Sequence, residues 1–296
     1  MKRHLNKYFY YGGLPEILSF KNKRAMLSSL YQKIYLGDIC ARNNIKNDRV
    51  LNILIKKMAE SVKQPLSFNR LKNVIVATGS PISVPTTIYY ADYASDSWLI
   101  LPMENEVGGL TEKETQKKYY FIDNGLLNLF LMNSETSLLE SMVAVELCRR
   151  FGKKNVYYLN VEKGIDFIVP DAKLAIQVSY SITDKTTKDR EVQPLAKYAK
   201  THEDWKCLLI TYDEEGTEEG IPVVPVWKWL MCVWGHLKDA GSMELRSYGT
   251  LLRSSGMTDL WKNGITEAVS RGNTEAQSAE MRTSNKERRR IGYTEI

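Results

Sequence analysis

IDFIVPDAKLAIQVSYSITDKTTKDREVQPL, residues 165–195, is the stretch that decides the fold. Its apolar run at 165–169, interrupted by the single acid Asp166, predicts a strand, and residues 173–182 predict a second strand after a proline-containing turn. A charged segment then leads into an amphipathic helix that begins near Lys188. Strand, turn, strand and helix, with a carboxylate in the first strand, is an order typical of metal-dependent nuclease cores.

Strands and helices alternate along residues 124–235, which predicts an α/β layer structure with a mixed sheet. Beyond 165–195, the other predicted strands are 156–159, 207–211 and 221–226, and the other predicted helices are 138–151 and 227–234. The apolar run at 207–211 is of the kind that is buried on both faces of a sheet.

Residues 47–123 have a different pattern, three short helices followed by two strands. Asn47, Ser67 and Ser83 are the residues expected to cap the helices. The predicted helices are 47–61, 68–78 and 83–97, and the predicted strands are 98–103 and 118–122. This order predicts a winged helix, so that the whole chain is classed as α/β, or α+β overall.

The third helix of this segment would be the recognition element if the winged helix bound DNA. Its groove-facing residues would be Thr86, Thr87 and Tyr90. Phosphate contacts would come from the cationic residues around it, since phosphate charge supplies most of the affinity: Arg70, Lys72, Lys113, Lys117 and Lys118. A winged helix can also serve protein contact alone, and this helix contains no Lys or Arg. The sequence therefore leaves both DNA and protein as candidate partners of this segment.

The two ends of the chain are predicted to differ. The helix predicted over residues 24–39 has an apolar face that requires a partner, either the following domain or another protein that packs on residues 8–39. Residues 236–296 are rich in serine, glycine and charge, and end in a basic run from Lys286 to Arg290. They are predicted to be a disordered basic tail.

Composition excludes few function classes. The 41 basic and 35 acidic residues give a net charge of +6, which permits a nucleic-acid partner without requiring one. The four cysteines lie far apart without a CxxC pair, which argues against a zinc site or a disulfide framework and favours a reducing compartment. Because no apolar run approaches the roughly 18 residues of a membrane helix, we expect a cytoplasmic protein without a membrane partner.

Several phrases along the chain resemble, in order, the C-terminal two thirds of a family of bacterial and archaeal AAA-plus ATP-binding proteins. The phrases are YGGLPE (11–16), the Asp38 and Arg42 pair, TTIYYADYASDSWLI (86–100), KKYYFIDNGLLN (117–128), LLESMVAVEL (138–147), IDFIV (165–169), IQVSYSI (176–182) and REVQPL (190–195). That family joins an ATPase module to a winged helix and then to a domain of unknown function related to PD-(D/E)xK nucleases.

The resemblance implies a division into four parts. Residues 1–46 correspond to a helical remnant of the ATPase lid region, 47–123 to the winged helix, 124–235 to a degenerate nuclease-like domain, and 236–296 to the tail. The sequence contains no GxxxxGK[ST] motif, so no ATPase activity is expected of this chain. A truncated or split family member, with an ATPase module as partner, is the corresponding expectation.

A PD-(D/E)xK site uses an acid in a helix, an Asp in one strand, and an acid-x-Lys on the next strand, with the acids holding a divalent ion. The resemblance places these roles on Glu140, Asp166, Gln177 and Ser179, so two of the four residues have changed. Gln177 could offer a neutral oxygen to Mg²⁺, and Arg190 or Lys188 could supply the missing cation. Alternatively, Asp166 is bound by Arg190 or by backbone amides.

These residues predict a noncatalytic DNA-associated or protein-interaction module without a cofactor. The alternative is a metal-dependent nuclease in which Asp166 and Glu140 hold Mg²⁺.

Overall fold

The structure, a computed structural model, describes residues 2–160 and 164–231; the predicted tail at 236–296 lies outside this range. Its N-terminal part consists of α1 (Lys2–Tyr11), α2 (Pro15–Leu18), α3 (Lys23–Gln32) and a π-helix (Lys33–Ala41) that continues α3. Asn22 caps α3, because its side chain accepts a hydrogen bond from the amide of Ala25. The helix predicted over 24–39 is present, but its second half winds as a π-helix, a form that is rare at this length.

The apolar face of this helix packs within the chain. Leu27, Tyr31 and Tyr35 are buried, and the Tyr31 ring meets Phe130 edge-on at 5.0 Å between ring centroids. Of the two predicted partners for this face, the following domain and another protein, the chain itself supplies the first, since Phe130 lies beyond residue 123. Leu36, on the π-helix, stays half exposed at 51%.

The next part holds three helices and a small antiparallel sheet. Its elements are α4 (Asp48–Glu60), β1 (Leu66–Ser67), α5 (Phe68–Ala77), α6 (Val84–Asp96), β2 (Ile100–Met103), α7 (Leu110–Thr115) and β3 (Gln116–Phe121). The strands lie in the order β1-β3-β2, and Ser67 and Ser83 cap α5 and α6 as predicted. The three predicted helices and both predicted strands are present, whereas β1 and α7 were not predicted.

The C-terminal part of the described chain is built on a six-stranded mixed sheet. Its elements are α8 (Asn124–Leu127), α9 (Glu135–Phe151), β4 (Tyr157–Leu159), β5 (Ile165–Val169), a short 3₁₀ turn (Pro170–Ala172), β6 (Leu174–Ser179), α10 (Lys185–Thr201), β7 (Lys206–Thr211), β8 (Gly216–Glu218), β9 (Ile221–Pro225) and α11 (Val226–Met231). The strand order is β4-β5-β6-β7-β9-β8, with β6, β7 and β9 parallel and the other neighbours antiparallel. The predicted α/β class with mixed sheets is confirmed.

The stretch 165–195 lies at the centre of this sheet. All six residues of β6 are buried, and α10 returns the chain to the parallel strand β7. Asp184 begins α10 by accepting a hydrogen bond from the amide of Thr187, so the helix starts three residues before the predicted Lys188. The buried cluster on this side of the sheet joins β5, β6, β7, β9 and α10, and its members include Ile168, Ala175, Val192, Leu195, Leu209 and Val223.

The N-terminal segment makes a close contact with the turn that follows β3. The Asp123 carboxylate accepts hydrogen bonds from the amides of Gly13 and Gly125, at 2.7 and 2.8 Å. A Cβ atom on Gly125 would lie 2.3 Å from the carbonyl oxygen of Tyr11, which leaves room for glycine alone. The YGGLPE and KKYYFIDNGLLN phrases therefore meet in space, just after the end of β3.

Candidate functional site

Two of the predicted site acids converge on a lysine that was assigned to a different role. The Lys118 ammonium, on β3, lies 3.1 Å from Oε1 of Glu140 on α9 and 3.2 Å from Oδ1 of Asp166 on β5. The Tyr120 hydroxyl donates a hydrogen bond of 2.7 Å to the same Glu140 oxygen. We call these four residues, Lys118, Tyr120, Glu140 and Asp166, the Lys118 cluster.

Burial sets the electrostatics of the cluster. Lys118 and Glu140 are 5% and 4% exposed. Burial raises the pKa of Glu140 to about 7 and the nearby Asp166 adds to the rise, against the opposing effects of Lys118 and Tyr120. Burial by itself lowers the pKa of Lys118, but the two carboxylates outweigh it and hold that pKa above its usual value. The lysine is therefore a permanent cation between the two acids.

The carbonyl oxygen of Gln177 accepts a backbone hydrogen bond and lies outside the ion pairs of the cluster, which corrects the predicted role of Gln177 as a metal ligand. That oxygen accepts a hydrogen bond from the backbone amide of Asp166 at 3.2 Å, and the Gln177 amide nitrogen donates to Glu191 at 2.7 Å. The second Asp166 oxygen accepts from the amide of Val178 at 3.0 Å. Asp166 is thus bound by a backbone amide, as one prediction held, while Arg190 pairs with Glu191.

The other predicted sources of a cation do not reach the two acids. Ser179 is buried and its hydroxyl donates to the carbonyl of Ser181. The Lys188 ammonium pairs with Glu218 at 3.2 Å. The cation that lies beside both acids is Lys118, on strand β3, and not a residue at the position of Ser179.

The residues of the cluster do not fit a divalent metal ion. Within residues 2–160 and 164–231 there is no group of three or more His, Cys, Asp or Glu side chains that could hold one. The Lys118 ammonium bonds both Glu140 and Asp166, and its charge would repel a cation bridging them. Carboxylates in this arrangement neutralise a lysine and do not present an open ligand set.

Two members of the predicted nucleic-acid set are corrected by the structure. Thr87 is fully buried, and its hydroxyl donates to the carbonyl of Ser83, so it cannot face a groove. Lys118 is buried in the cluster and cannot contact a phosphate. Of the remaining members, Arg70 is exposed, whereas Lys72, Thr86, Tyr90, Lys113 and Lys117 are partly buried. The Lys117 ammonium pairs with Glu104 at 3.2 Å.

The surface around α6 is aromatic and its charges are balanced. Residues 47–123 contain nine basic and nine acidic residues. Tyr89 is 58% exposed and Trp98, just after α6, is 61% exposed. The Tyr89 ring stacks with that of Tyr93 at 6.5 Å between centroids. Residues 47–123 as a whole therefore have no excess of the positive charge on which affinity for a phosphate backbone depends.

Comparison with known proteins gives relatives without an assigned function. Residues 2–137 match a domain of unknown function, DUF8612, which includes Lys118 and ends before Glu140. An uncharacterized protein of Methanocaldococcus jannaschii is 28% identical over 249 residues, covering 77% of this chain and 55% of the relative. An uncharacterized protein of Haemophilus influenzae is 28% identical over 236 residues, covering 76% of this chain and 57% of the relative.

The chain therefore spans about half the length of the curated relatives it matches. No solved structure matches it. None of the helices within the described residues has the length and apolarity needed to cross a membrane.

Sequence reasoning missed the roles of Lys118, Tyr120 and Glu191. One signal was available: in the strand KKYYF, Lys118 and Tyr120 are two residues apart and therefore lie on the same face. Their partners could not be found in this way, because Glu140 and Asp166 are 22 and 48 residues away from Lys118 in the chain.

Proposed function

We propose that this chain is a noncatalytic interaction module, a winged helix at 47–123 joined to a degenerate nuclease-like domain at 124–235. The observation that carries the proposal is the Lys118 ammonium bonded to both Glu140 and Asp166. Metal-dependent hydrolysis needs carboxylate oxygens free to bind a divalent ion. The resemblance supports a relation to the C-terminal part of AAA-plus ATP-binding proteins, with the process still to be identified.

Protein contact is favoured over DNA contact as the mode of interaction. The exposed residues on and beside α6 are aromatic, and the charges of 47–123 balance. Aromatic side chains supply large contact areas in protein interfaces, whereas DNA affinity depends on excess Lys and Arg.

Binding assays separate the two modes. Fluorescence titration with duplex and single-stranded DNA, at several salt concentrations, is expected to show no salt-sensitive binding. Arg70→Glu, at an exposed position, serves as the matched charge reversal. Binding that weakens with salt and falls further in Arg70→Glu would establish the DNA-associated form of the module instead.

A plasmid-cleavage assay with Mg²⁺ and with Mn²⁺ tests the noncatalytic assignment. We expect no cleavage above that of the Asp166→Ala variant. Cleavage by the natural protein that is lost in Asp166→Ala would contradict the proposal.

The second candidate, a metal-dependent nuclease, is favoured by one specific observation. Lys118 places a cation beside Asp166, where Ser179 leaves none. In this candidate the Lys118 ammonium would have to leave Glu140 and Asp166 before these carboxylates could hold Mg²⁺, and it would then stabilise developing negative charge. The nuclease candidate requires that cleavage by the natural protein be lost in both Lys118→Met and Asp166→Ala.

A further inference from the structure

Helix α6 has an exposed face made of two tyrosines and two aspartates. Tyr89, Asp92, Tyr93 and Asp96 are three and four residues apart, so their side chains lie on one side of the helix. Tyr89 and both aspartates are exposed, and Tyr93 is partly buried. The opposite side of the helix is buried within the chain. We call these four residues the α6 face.

The charge of the α6 face is negative and is not neutralised by the helix itself. α6 contains no Lys or Arg, and Asp92 and Asp96 lie one turn apart, a like-charge spacing that destabilises a helix. In the part of the chain that the structure describes, neither carboxylate is in a salt bridge, and Lys117, whose charge acts on Asp92, pairs with Glu104. Burial and the charge of Asp96 raise the pKa of Asp92. A cation supplied by a partner would therefore stabilise this face.

Aromatic rings beside these carboxylates are suited to a guanidinium or ammonium group. The Tyr89 and Tyr93 rings stack on each other, and the Trp98 ring is exposed at the end of α6. The Lys153 ammonium lies 5.5 Å from the centroid of the Trp98 ring, so this ring already contacts a cation. Trp98 has a φ of 55°, which is uncommon for a bulky residue and which glycine adopts more easily. An exposed tryptophan in this conformation favours a role in binding over a role in stability.

The charge of the α6 face decides among the possible partners. Carboxylates repel the phosphates of nucleic acids and of anionic membranes. A second copy of this chain, docked through the same face, would bring Asp92 and Asp96 against their own counterparts. A segment rich in arginine or lysine complements both the carboxylates and the rings.

We propose that the α6 face and Trp98 form a docking surface for an arginine- or lysine-rich segment of another protein. A cationic side chain of that segment would lie between the carboxylates of Asp92 and Asp96, and its neighbours would lie over the rings of Tyr89 and Trp98. The inference deepens the proposed function, on which it rests, by naming the chemical class of the partner.

Fluorescence anisotropy of a labelled octa-arginine peptide, titrated with the full chain at low salt, tests the inference. Arginine is the suitable probe because its guanidinium group both pairs with carboxylates and stacks on aromatic rings. The chain has a net charge of +6, so its overall charge repels the peptide and binding depends on a local acidic surface. We expect binding that weakens as salt is added, and no binding of an uncharged octa-serine peptide.

Variants at exposed positions locate the binding surface. The double variant Asp92→Asn with Asp96→Asn should weaken octa-arginine binding about tenfold. The matched control, Asp171→Asn with Glu203→Gln, removes two exposed acids elsewhere on the chain and should leave the affinity unchanged. Tyr89→Leu keeps an apolar side chain without an aromatic ring and should weaken binding about threefold. Far-ultraviolet circular dichroism verifies that each variant is folded.

The inference is overturned if the natural chain does not bind octa-arginine, or if octa-serine binds equally well. Equal affinities of the double variant and its control, or an unchanged affinity in Tyr89→Leu, would also overturn it. A dimer seen by sedimentation velocity and abolished by Tyr89→Leu would assign the face to a second copy of this chain instead. The plasmid-cleavage assay reports separately on the proposed function, because cleavage would contradict the noncatalytic assignment whatever the peptide does.

Discussion

Glu140→Gln is the substitution that most directly tests the electrostatics of the Lys118 cluster. The change keeps the shape of a buried side chain and removes its ability to ionise. In the natural protein, burial raises the pKa of Glu140 from 4.5 to about 7. A carboxyl whose pKa is raised on folding contributes stability while it is protonated in both states, and that contribution is lost as pH rises through the pKa of the folded state.

The expected magnitude follows from the size of this shift. A difference of one pKa unit corresponds to about 1.4 kcal/mol, so the contribution of Glu140 changes by on the order of 3 kcal/mol between about pH 4.5 and pH 8. The loss is greatest above pH 7, where the natural protein must keep a carboxylate charged in a buried site. Relative to the natural protein, Glu140→Gln should therefore gain stability as pH rises.

Urea unfolding followed by tryptophan fluorescence, in EDTA and at steps between about pH 5 and pH 8, measures this effect. The quantity of interest is the variant's free energy of unfolding minus that of the natural protein, because titrating groups that do not interact with Glu140 cancel in the difference. Glu135→Gln, at the start of the same helix and outside the cluster, controls for loss of an acidic charge on α9. The reasoning is refuted if Glu140→Gln and Glu135→Gln give parallel pH profiles.

Three further substitutions test individual contacts. Tyr120→Phe removes a hydrogen bond to the buried Glu140 carboxylate and is expected to lower the free energy of unfolding by about 1–3 kcal/mol in urea; an unchanged midpoint would contradict this bond. Gln177→Glu places a second carboxylate against that of Glu191 in a buried site, so calorimetry should show a lower Tm at neutral pH, and an unchanged Tm would contradict this contact. Ser67→Ala removes the cap of α5 and should cost about 1 kcal/mol by urea unfolding, whereas Ser67→Asp, which keeps an acceptor, should not.

Much of the fold was predictable because its signals are local. The apolar spacing in α4 and α9 and the caps of α5 and α6 identify helices without reference to the rest of the chain. Boundaries that depend on distant residues were less accurate. The strand predicted through 182 ends at Ser179, and beyond it the Ser181 hydroxyl and the Ile182 amide donate to Glu214, 33 and 32 residues away.

The predictions about the functional site also divide into those that local sequence supports and those that depend on distant residues. The resemblance predicted that Glu140 and Asp166 belong to one site, with Gln177 and Ser179 at its two altered positions. The sequence pattern assigned Lys118 to phosphate contacts beside the third helix of residues 47–123, a role that requires an exposed ammonium.

By itself, then, the sequence determined the mixed α/β class and the succession of helices and strands, and it singled out Glu140 and Asp166 as candidate site acids. Only the tertiary structure decided that Lys118 is the counter-ion of Glu140 and Asp166. The physical reason is that an ion pair depends on distance. The distances among β3, α9 and β5 are set by tertiary packing between segments far apart in the sequence, which no local pattern encodes.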